Sequence, residues 1–193
     1  MSRQEEGETL VLLIDCQQAF IDGSWARYFP TREIETLKAA FERVGNFLRG
    51  PHPQLVAATI CPFWRSYDRK IFDPLHDLLK DVPTFEKPDN DVFEAPGWDE
   101  WVRKTIAEKS IRRIVIGGCT LNSCVRVSAM QCAIRLADTG VQVCVDVSLC
   151  GARASNYTGR EYGGLSSVDS AIAQMRSVGV TVYASTSEWN TQN

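Results

Sequence analysis

Short apolar runs with the length of β-strands alternate along the chain with amphipathic helical patterns. Residues 9–14 form the first such run, which is apolar without interruption from Leu10 to Ile14 and ends at Asp15. An uninterrupted apolar run is typical of a central strand in a parallel sheet that is covered on both faces. From Thr31, which can cap a helix, apolar residues recur every three or four positions as far as Leu48. This spacing predicts an amphipathic helix packed on the sheet.

The same alternation continues to residue 184. The patterns predict strands over residues 55–60, 111–116, 141–145 and 180–184, a short extended piece at 84–85, and helices over 74–79 and 98–108. Gly117 and Gly118 predict the end of strand 111–116, and Asn122 or Ser123 can cap the following helix, which ends at Gly140. This order predicts an α/β domain with a mainly parallel sheet and right-handed crossovers. Since no repeat or linker is visible, we expect one domain over residues 1–193, with its core at about 9–186.

The charge balance and the length of the apolar runs argue against nucleic acid and membranes as partners. The 193 residues contain 21 Lys and Arg and 24 Asp and Glu, a net charge of −3. This balance argues against nucleic acid or an anionic membrane as the main partner, because both require a concentrated positive field. The apolar runs are far shorter than the ~20 residues that span a bilayer. The first eight residues are polar rather than signal-like, so the seven cysteines are expected to be reduced thiols in a cytoplasmic protein.

Three groups that can carry chemistry follow predicted strands, where ligands of parallel sheets collect. They are Asp15, Lys87 and Cys124. A thiol at the start of a helix meets the positive end of the helix dipole and unpaired N–H groups, which favour the thiolate. The two histidines, His52 between prolines and His76 in a charged helical stretch, are poor candidates for a base. The absence of a CxxC pair also makes a structural zinc site a poor expectation, so we predict no metal and no cofactor.

Four segments stand out together: Leu-Leu-Ile-Asp-Cys-Gln-Gln-Ala-Phe at residues 12–20, Glu-Lys-Pro at 86–88, residues 115–125, which end in Cys-Val, and residues 140–146. They resemble, in this order, the opening motif, the lysine motif, the nucleophile motif and the later strand of the isochorismatase-like cysteine hydrolase superfamily. The motifs occur in family order over about residues 9–186.

The resemblance implies a three-layer α/β/α sandwich with a Rossmann-like sheet and a triad of Asp15, Lys87 and Cys124. It also implies a cis peptide bond between Cys119 and Thr120, so that the backbone N–H groups of Thr120 and Cys124 bind the substrate oxyanion. Two positions depart from the family. Cys61 and Phe63 stand where many members have an Asp-x-His metal pair, and Leu121 stands where members often have threonine.

Other residues near these motifs are candidates for the substrate pocket. For each of them, packing or loop capping is the alternative interpretation. The candidates are Gln17, Phe20, Trp25, Phe63, Trp64, Cys119 and Leu121.

The resemblance predicts a metal-independent cysteine hydrolase that cleaves a C–N bond of a small amide-type substrate through a thioester. Alternatives are an isochorismatase-type vinyl-ether hydrolase and a non-catalytic binding protein on the same fold. A peroxide-sensing thiol protein is also conceivable, although the sequence indicates no resolving cysteine. Family members commonly assemble, so we expect a homo-oligomer, either a dimer or a tetramer.

Overall fold

The computed structural model describes residues 8–50 and 55–190. In this part of the chain, six strands form one parallel sheet in the order β3-β2-β1-β4-β5-β6. The strands are β1 (Glu8–Ile14), β2 (Leu55–Ile60), β3 (Thr84–Glu86), β4 (Ile111–Cys119), β5 (Gln142–Gly151) and β6 (Thr181–Tyr183). The predicted parallel α/β sheet is confirmed, and the strand order reverses between β1 and β4.

Helices cover both faces of the sheet. They are α1 (Thr31–Leu48), α2 (Ser66–Arg69), α3 (Asp73–Leu79), α4 (Trp98–Glu108), α5 (Arg126–Arg135), α6 (Ala154–Thr158) and α7 (Ser167–Ser177). Apolar side chains of α4, α5 and α7 belong to one core cluster, and those of α1 and α3 belong to the other. The fold is therefore the expected three-layer α/β/α sandwich.

Side chains of β1 alternate between these two cores. Leu10, Leu12 and Ile14 lie in the cluster with α4, α5 and α7, whereas Val11 and Leu13 lie in the cluster with α1 and α3. All five are fully buried. Burying one such side chain contributes about 1.5–3 kcal/mol, so β1 fixes the centre of the sheet and the position of the residue that follows it.

Strand β4 does not end at the two glycines but continues to Cys119. The backbones of β1 and β4 approach so closely here that a Cβ on Gly118 would lie 2.0 Å from the carbonyl oxygen of Ile14. Gly118 also has a φ of +108°, which other residues rarely adopt. The glycines therefore allow a tight strand pairing where the sequence pattern predicted a stop.

Other boundaries also differ from the predictions. Thr31 is the first residue of α1 rather than its cap, and the turn before α5 begins at Leu121 rather than at a polar cap. The side chain of Asn122 instead donates to Ser167 Oγ at 2.8 Å. Strand β5 extends to Gly151, beyond the end predicted at residue 145, and α6 follows it.

His52, which the sequence analysis rejected as a candidate base, lies outside the described residues. Among residues 8–50 and 55–190, no helix is long and apolar enough to cross a bilayer.

Candidate active site

Asp15 lies at the carboxyl end of β1, beside the point where the strand order reverses. Ligands of open α/β sheets bind at this position. Asp15 is fully buried, and its φ of 50° turns the chain out of the strand, a conformation that aspartate adopts more readily than most residues. Its carboxylate accepts hydrogen bonds from Thr59 Oγ1 at 2.7 Å and from Cys61 Sγ at 3.2 Å. The carboxylate is thus fixed from the β2 side of the sheet.

Lys87 follows β3 and forms a buried ion pair with Asp15. The distance from Lys87 Nζ to Asp15 Oδ2 is 2.7 Å, and both side chains are 0% exposed. Nζ also donates to the carbonyl of Asp89 at 3.0 Å and lies 3.7 Å from Cys61 Sγ. Burial by itself lowers the pKa of Lys87, but the negative charges of Asp15 and the nearby cysteines raise this pKa above the ordinary lysine value. The ammonium group is therefore positively charged at neutral pH.

Cys124 lies in a π-helical turn, Leu121–Val125, which joins β4 to α5. Its side chain is largely buried, at 8% exposure, and the thiol donates to Asn90 Oδ1 at 3.0 Å. The main-chain carbonyl of Asn90 accepts a hydrogen bond from Ser128 Oγ at 3.0 Å. Helix α5 thereby anchors the loop after β3 against the Cys124 thiol.

The pKa of Cys124 is lowered from the ordinary thiol value. The largest cause is a hydrogen-bond interaction with Cys61; burial and the charge of Asp15 oppose the lowering, and the charge of Lys87 adds to it. A lowered pKa increases the thiolate fraction near neutral pH, and the thiolate is the nucleophilic form. Asp15, which follows β1 at the same edge of the sheet, is the candidate proton acceptor for this sulfur.

The structure links Asp15 and Lys87 by direct contact, with the Cys61 thiol beside both of them. The Cys124 thiol lies at the same edge of the sheet, where it donates to Asn90. Each of the four side chains follows a different strand, and all lie at the same edge of the sheet.

Gln17 fixes the loop that carries Cys61. Its Oε1 accepts from the backbone N–H of Cys61 at 2.7 Å, and its Nε2 donates to the Cys61 carbonyl at 3.0 Å. Nε2 also donates to the carbonyls of Asp68 and Arg69 at 3.4 and 3.2 Å. Both ends of the buried Gln17 amide are thus occupied by main-chain groups, so Gln17 stabilises the conformation of the loop that carries Cys61.

Three of the four aromatic candidates for the pocket contact one another, starting from Phe63, two residues after Cys61. Phe63 and Phe20 have ring centroids 5.6 Å apart, and Phe20 and Trp25 have centroids 5.1 Å apart. Trp64, in contrast, is 88% exposed. The structure thus places Phe63, Phe20 and Trp25 in one aromatic cluster near Cys61 and directs Trp64 to solvent.

The remaining candidates lie around the end of β4. Cys119 is fully buried, and its thiol donates to the carbonyl of Asp15 at 3.3 Å. Leu121 is fully buried in the cluster that also contains Cys124. The peptide bond between Cys119 and Thr120 is cis, which is the bond that the resemblance singled out.

Two contacts of the site were missed by the sequence reasoning. Thr59 is the fifth residue of β2 and looked like any β-branched strand residue, yet its hydroxyl donates to Asp15. Asn90 falls in the irregular segment after Lys87, where no periodicity predicts which side chain meets Cys124. The only available signal was the polar character of these residues close to the ends of their strands.

The donor set at positions 61 and 63, where the resemblance implied a metal pair in many members of the superfamily, does not fit a metal ion. The Cys61 thiol is engaged by Asp15 and Lys87, and an ammonium group beside it disfavours a cation. Phe63 packs on Phe20 and offers no ligand atom. Within the described residues, no group of three or more His, Cys, Asp or Glu could hold a metal ion. No step of the chemistry below is therefore assigned to a metal.

Replacing Cys61 by alanine is expected to shift the reactivity of Cys124 to higher pH. The substitution removes the hydrogen bond that lowers the Cys124 pKa, so the thiolate should form only at more alkaline pH. The rate of Cys124 alkylation by iodoacetamide, measured against pH by peptide mass spectrometry, reports this shift. Cys61→Ser keeps a hydroxyl donor and should stay closer to the wild-type profile. Superimposable profiles for wild type and Cys61→Ala would contradict the hydrogen bond.

Comparisons with known proteins place this geometry in a family. The model of the isochorismatase domain family matches residues 9–187. A comparison with curated proteins finds no match.

Solved structures share the fold at low sequence identity. An isochorismatase-like hydrolase from Alkaliphilus metalliredigens superimposes with a TM-score of 0.63 at 15% identity, with 93% of each chain covered. A pyrazinamidase of Pyrococcus horikoshii, solved in complex with zinc, gives 0.63 at 18% identity over 91% of this chain and 98% of the other. An octameric hydrolase of unknown specificity from Escherichia coli gives 0.64 at 17% identity, over 91% and 74%.

The chain belongs to the isochorismatase domain family and has the fold of its hydrolases.

Proposed function

We propose that this protein is a cysteine hydrolase that cleaves a C–N bond of a small amide-type substrate through a thioester intermediate. The observation that carries the proposal is the buried ion pair of Asp15 and Lys87, which lies at the same edge of the sheet as the Cys124 thiol, whose pKa is lowered. A nucleophile, a proton acceptor and a fixed positive charge around one sulfur are the components of covalent acyl transfer.

The first half of the reaction forms the thioester. Asp15 accepts the proton of Cys124, and the thiolate attacks the carbonyl carbon of the amide. The backbone N–H groups of Thr120 and Cys124 bind the resulting oxyanion. Lys87 offsets the negative charge of Asp15 and of the sulfur. The tetrahedral intermediate collapses when Asp15 returns the proton to the leaving amine.

The second half regenerates the enzyme. Asp15, again a carboxylate, accepts a proton from a water molecule that attacks the thioester carbonyl, and Cys124 leaves as a thiolate. Thr59, which donates to Asp15 Oδ1, orients the carboxylate so that its other oxygen faces Lys87 and Cys61. The reaction requires no metal, in agreement with the residues at positions 61 and 63.

The substrate class follows from the surroundings of the site. The aromatic cluster of Phe63, Phe20 and Trp25 supports a substrate with an apolar or aromatic group beside its amide. A pyrazinamidase among the structural neighbours bears the name of an enzyme that acts on a small aromatic amide. We therefore expect small aromatic amides to be turned over faster than aliphatic ones of equal size.

The proposal is tested with a panel of small amides, with ammonia or amine release as the readout. Acid-quenched reactions should also contain Cys124 carrying the acyl group of the substrate, detected by peptide mass spectrometry. Turnover of isochorismate with Cys124 unmodified would overturn the proposal in favour of a vinyl-ether hydrolase. Substrate binding without any turnover would indicate a binding protein on this fold.

We also propose that the protein assembles with copies of itself, since the Escherichia coli neighbour is octameric. Its cytoplasmic location stays a prediction.

A further inference from the structure

The Asn90 side chain contacts the sulfur of Cys124, and the hydrolytic steps give this contact no role. The Cys124 thiol donates to Asn90 Oδ1 at 3.0 Å, and Asn90 is half-buried in the segment that joins β3 to α4. A polar group that hydrogen-bonds an ionisable side chain changes the balance between its protonated and deprotonated forms. Asn90 is therefore placed to influence how much of the sulfur is thiolate.

The backbone of Asn90 is fixed from both sides. Ser128 is fully buried near the start of α5; its hydroxyl donates to the carbonyl of Asn90 at 3.0 Å and accepts from the N–H of Val92 at 3.1 Å. On the other side, Lys87 Nζ donates to the carbonyl of Asp89 at 3.0 Å, and Asp89 Oδ1 accepts from the N–H of Asn90 at 2.6 Å. These bonds keep the Asn90 side chain beside the sulfur.

We propose that Asn90 is a positioning residue that binds the Cys124 sulfur in both of its protonation states. Its Oδ1 accepts from the thiol, and a half-turn of the amide then presents Nδ2 to the thiolate. The exchange of the two amide ends is a property of the free protein, whereas its effect on hydrolysis rests on the proposed function.

The Asn90 amide can turn without moving the backbone. The terminal torsion of asparagine is broad and roughly two-fold, so rotation about it exchanges Oδ1 and Nδ2. Within residues 8–50 and 55–190, no hydrogen bond holds the Nδ2 group in its present orientation, and the thiol is the partner that holds Oδ1. The turn therefore breaks one hydrogen bond, which the departing thiol proton breaks in any case.

Deprotonation reverses what the Cys124 sulfur requires from its neighbour. The thiol needs an acceptor, which Oδ1 supplies, whereas the thiolate needs a donor. The carbonyl end of the amide repels a thiolate, while Nδ2 donates to it. Hydrogen bonds to a charged group are roughly twice as strong as bonds between neutral groups. The Nδ2 contact should therefore stabilise the thiolate more than the Oδ1 contact stabilises the thiol.

Asn90 takes part in the reaction without gaining or losing a proton. An amide oxygen accepts a hydrogen bond but is not a base near neutral pH, so Asp15 stays the candidate acceptor for the Cys124 proton. Once the proton has passed to Asp15, Nδ2 donates to the thiolate with its own hydrogens in place. The contact weakens in the uncharged thioester and forms again when Cys124 leaves as a thiolate.

The direction of a pKa shift tests this exchange. Asn90→Ala removes both ends of the amide and should raise the pKa of Cys124, so that alkylation by iodoacetamide near neutral pH slows by roughly 3- to 10-fold. The rate is measured against pH by peptide mass spectrometry. If Oδ1 only accepted from the thiol, the same variant would lower this pKa and speed alkylation. A lowered or unchanged pKa in Asn90→Ala would overturn the proposal.

Two variants of the same residue separate the amide from a general effect on the loop. Asn90→Asp keeps the size and the acceptor, lacks the donor and adds a negative charge, so alkylation near neutral pH should slow by more than tenfold, the effect of about one pKa unit or more. Asn90→Gln keeps both amide ends and should lie closer to wild type than Asn90→Ala does. An Asp variant less shifted than the Ala variant, or a Gln variant shifted as far as it, would contradict the exchange.

Asn46→Ala is the matched control, because Asn46 is an exposed asparagine on α1, and its profile should equal that of wild type. Fragment ions distinguish Cys124 from Cys119, since no Lys or Arg separates them and they share a tryptic peptide. Alkylation is read without substrate, so its outcome is independent of the hydrolase assignment. When an amide is turned over, the pH profile of kcat/KM should shift in Asn90→Ala by the same amount as the alkylation profile.

Discussion

Replacing Cys124 by alanine is expected to lower kcat/KM for the best amide substrate by roughly 10³- to 10⁶-fold, the range found when a catalytic nucleophile is removed. The side chains of Asp15 and Lys87 stay in place, but no atom remains to form the thioester. The measurement is amine release under single-turnover conditions, together with the mass of the acid-quenched protein, which should carry no acyl group.

A matched control uses another buried cysteine. Cys144 lies in β5, in the core cluster that contains α1 and α3, and is fully buried. Cys144→Ala removes the same sulfur from the interior and should change activity only slightly, although it lowers the free energy of unfolding. A Cys124→Ala variant that hydrolyses amides as fast as Cys144→Ala would exclude Cys124 as the nucleophile.

Replacing Lys87 by methionine is expected to lower the free energy of unfolding by about 3–5 kcal/mol, the usual cost of leaving one partner of a buried ion pair without the other. Methionine fills much of the same volume, but the carboxylate of Asp15 then lies buried without its counter-charge. Activity should also fall, because the Cys124 pKa loses a positive charge that lowers it. Urea unfolding gives the stability change, and iodoacetamide alkylation gives the change at Cys124.

The pH dependence of this loss has a defined sign. The pKa of Lys87 is raised in the folded protein, so its contribution to stability is present below the unfolded pKa of ~10.4 and disappears only as the pH rises through the higher folded value. The difference between wild type and Lys87→Met should therefore be constant from about pH 6 to 9. A difference that vanishes within this range would contradict the raised pKa.

Two further variants separate the ion pair from general effects. Lys38→Met changes an exposed lysine on α1 and should leave stability nearly unchanged. The double variant Asp15→Asn with Lys87→Met should lose less free energy of unfolding than the sum of the two single variants, because it leaves no unpaired charge. Strict additivity would mean that the two groups do not interact.

Much of the fold was predictable because buried strands and helices require apolar residues at regular spacings in the sequence. The apolar run before Asp15 predicted a central parallel strand, and β1 is fully buried from Leu10 to Ile14. The extension of β4 through Gly117 and Gly118 was not predictable, since glycine more often weakens a strand. Gly118 is needed here because the backbone of Ile14 approaches it closely. That approach exists only in the assembled sheet and cannot be read from the sequence.

The site was predictable to the extent that its residues follow strands. Asp15, Lys87 and Cys124 could be placed at one edge of the sheet by that rule together with the family resemblance. The roles of Cys61, Thr59 and Asn90 could not, because their hydrogen bonds depend on loop conformations and on contacts between residues far apart in the chain. In the sequence Cys61 only marks a place where many family members have a metal ligand, whereas the structure places its thiol in contact with Asp15 and Lys87.

The assembly of the site from four separate strand ends couples its chemistry to folding. Lys87 reaches Asp15 only when β3 has paired with β2 and β2 with β1, and Cys124 joins them only when β4 has paired on the other side. We therefore expect Cys124 to react more slowly with a thiol reagent in a partly folded chain than in the native protein, in which both halves of the sheet are paired.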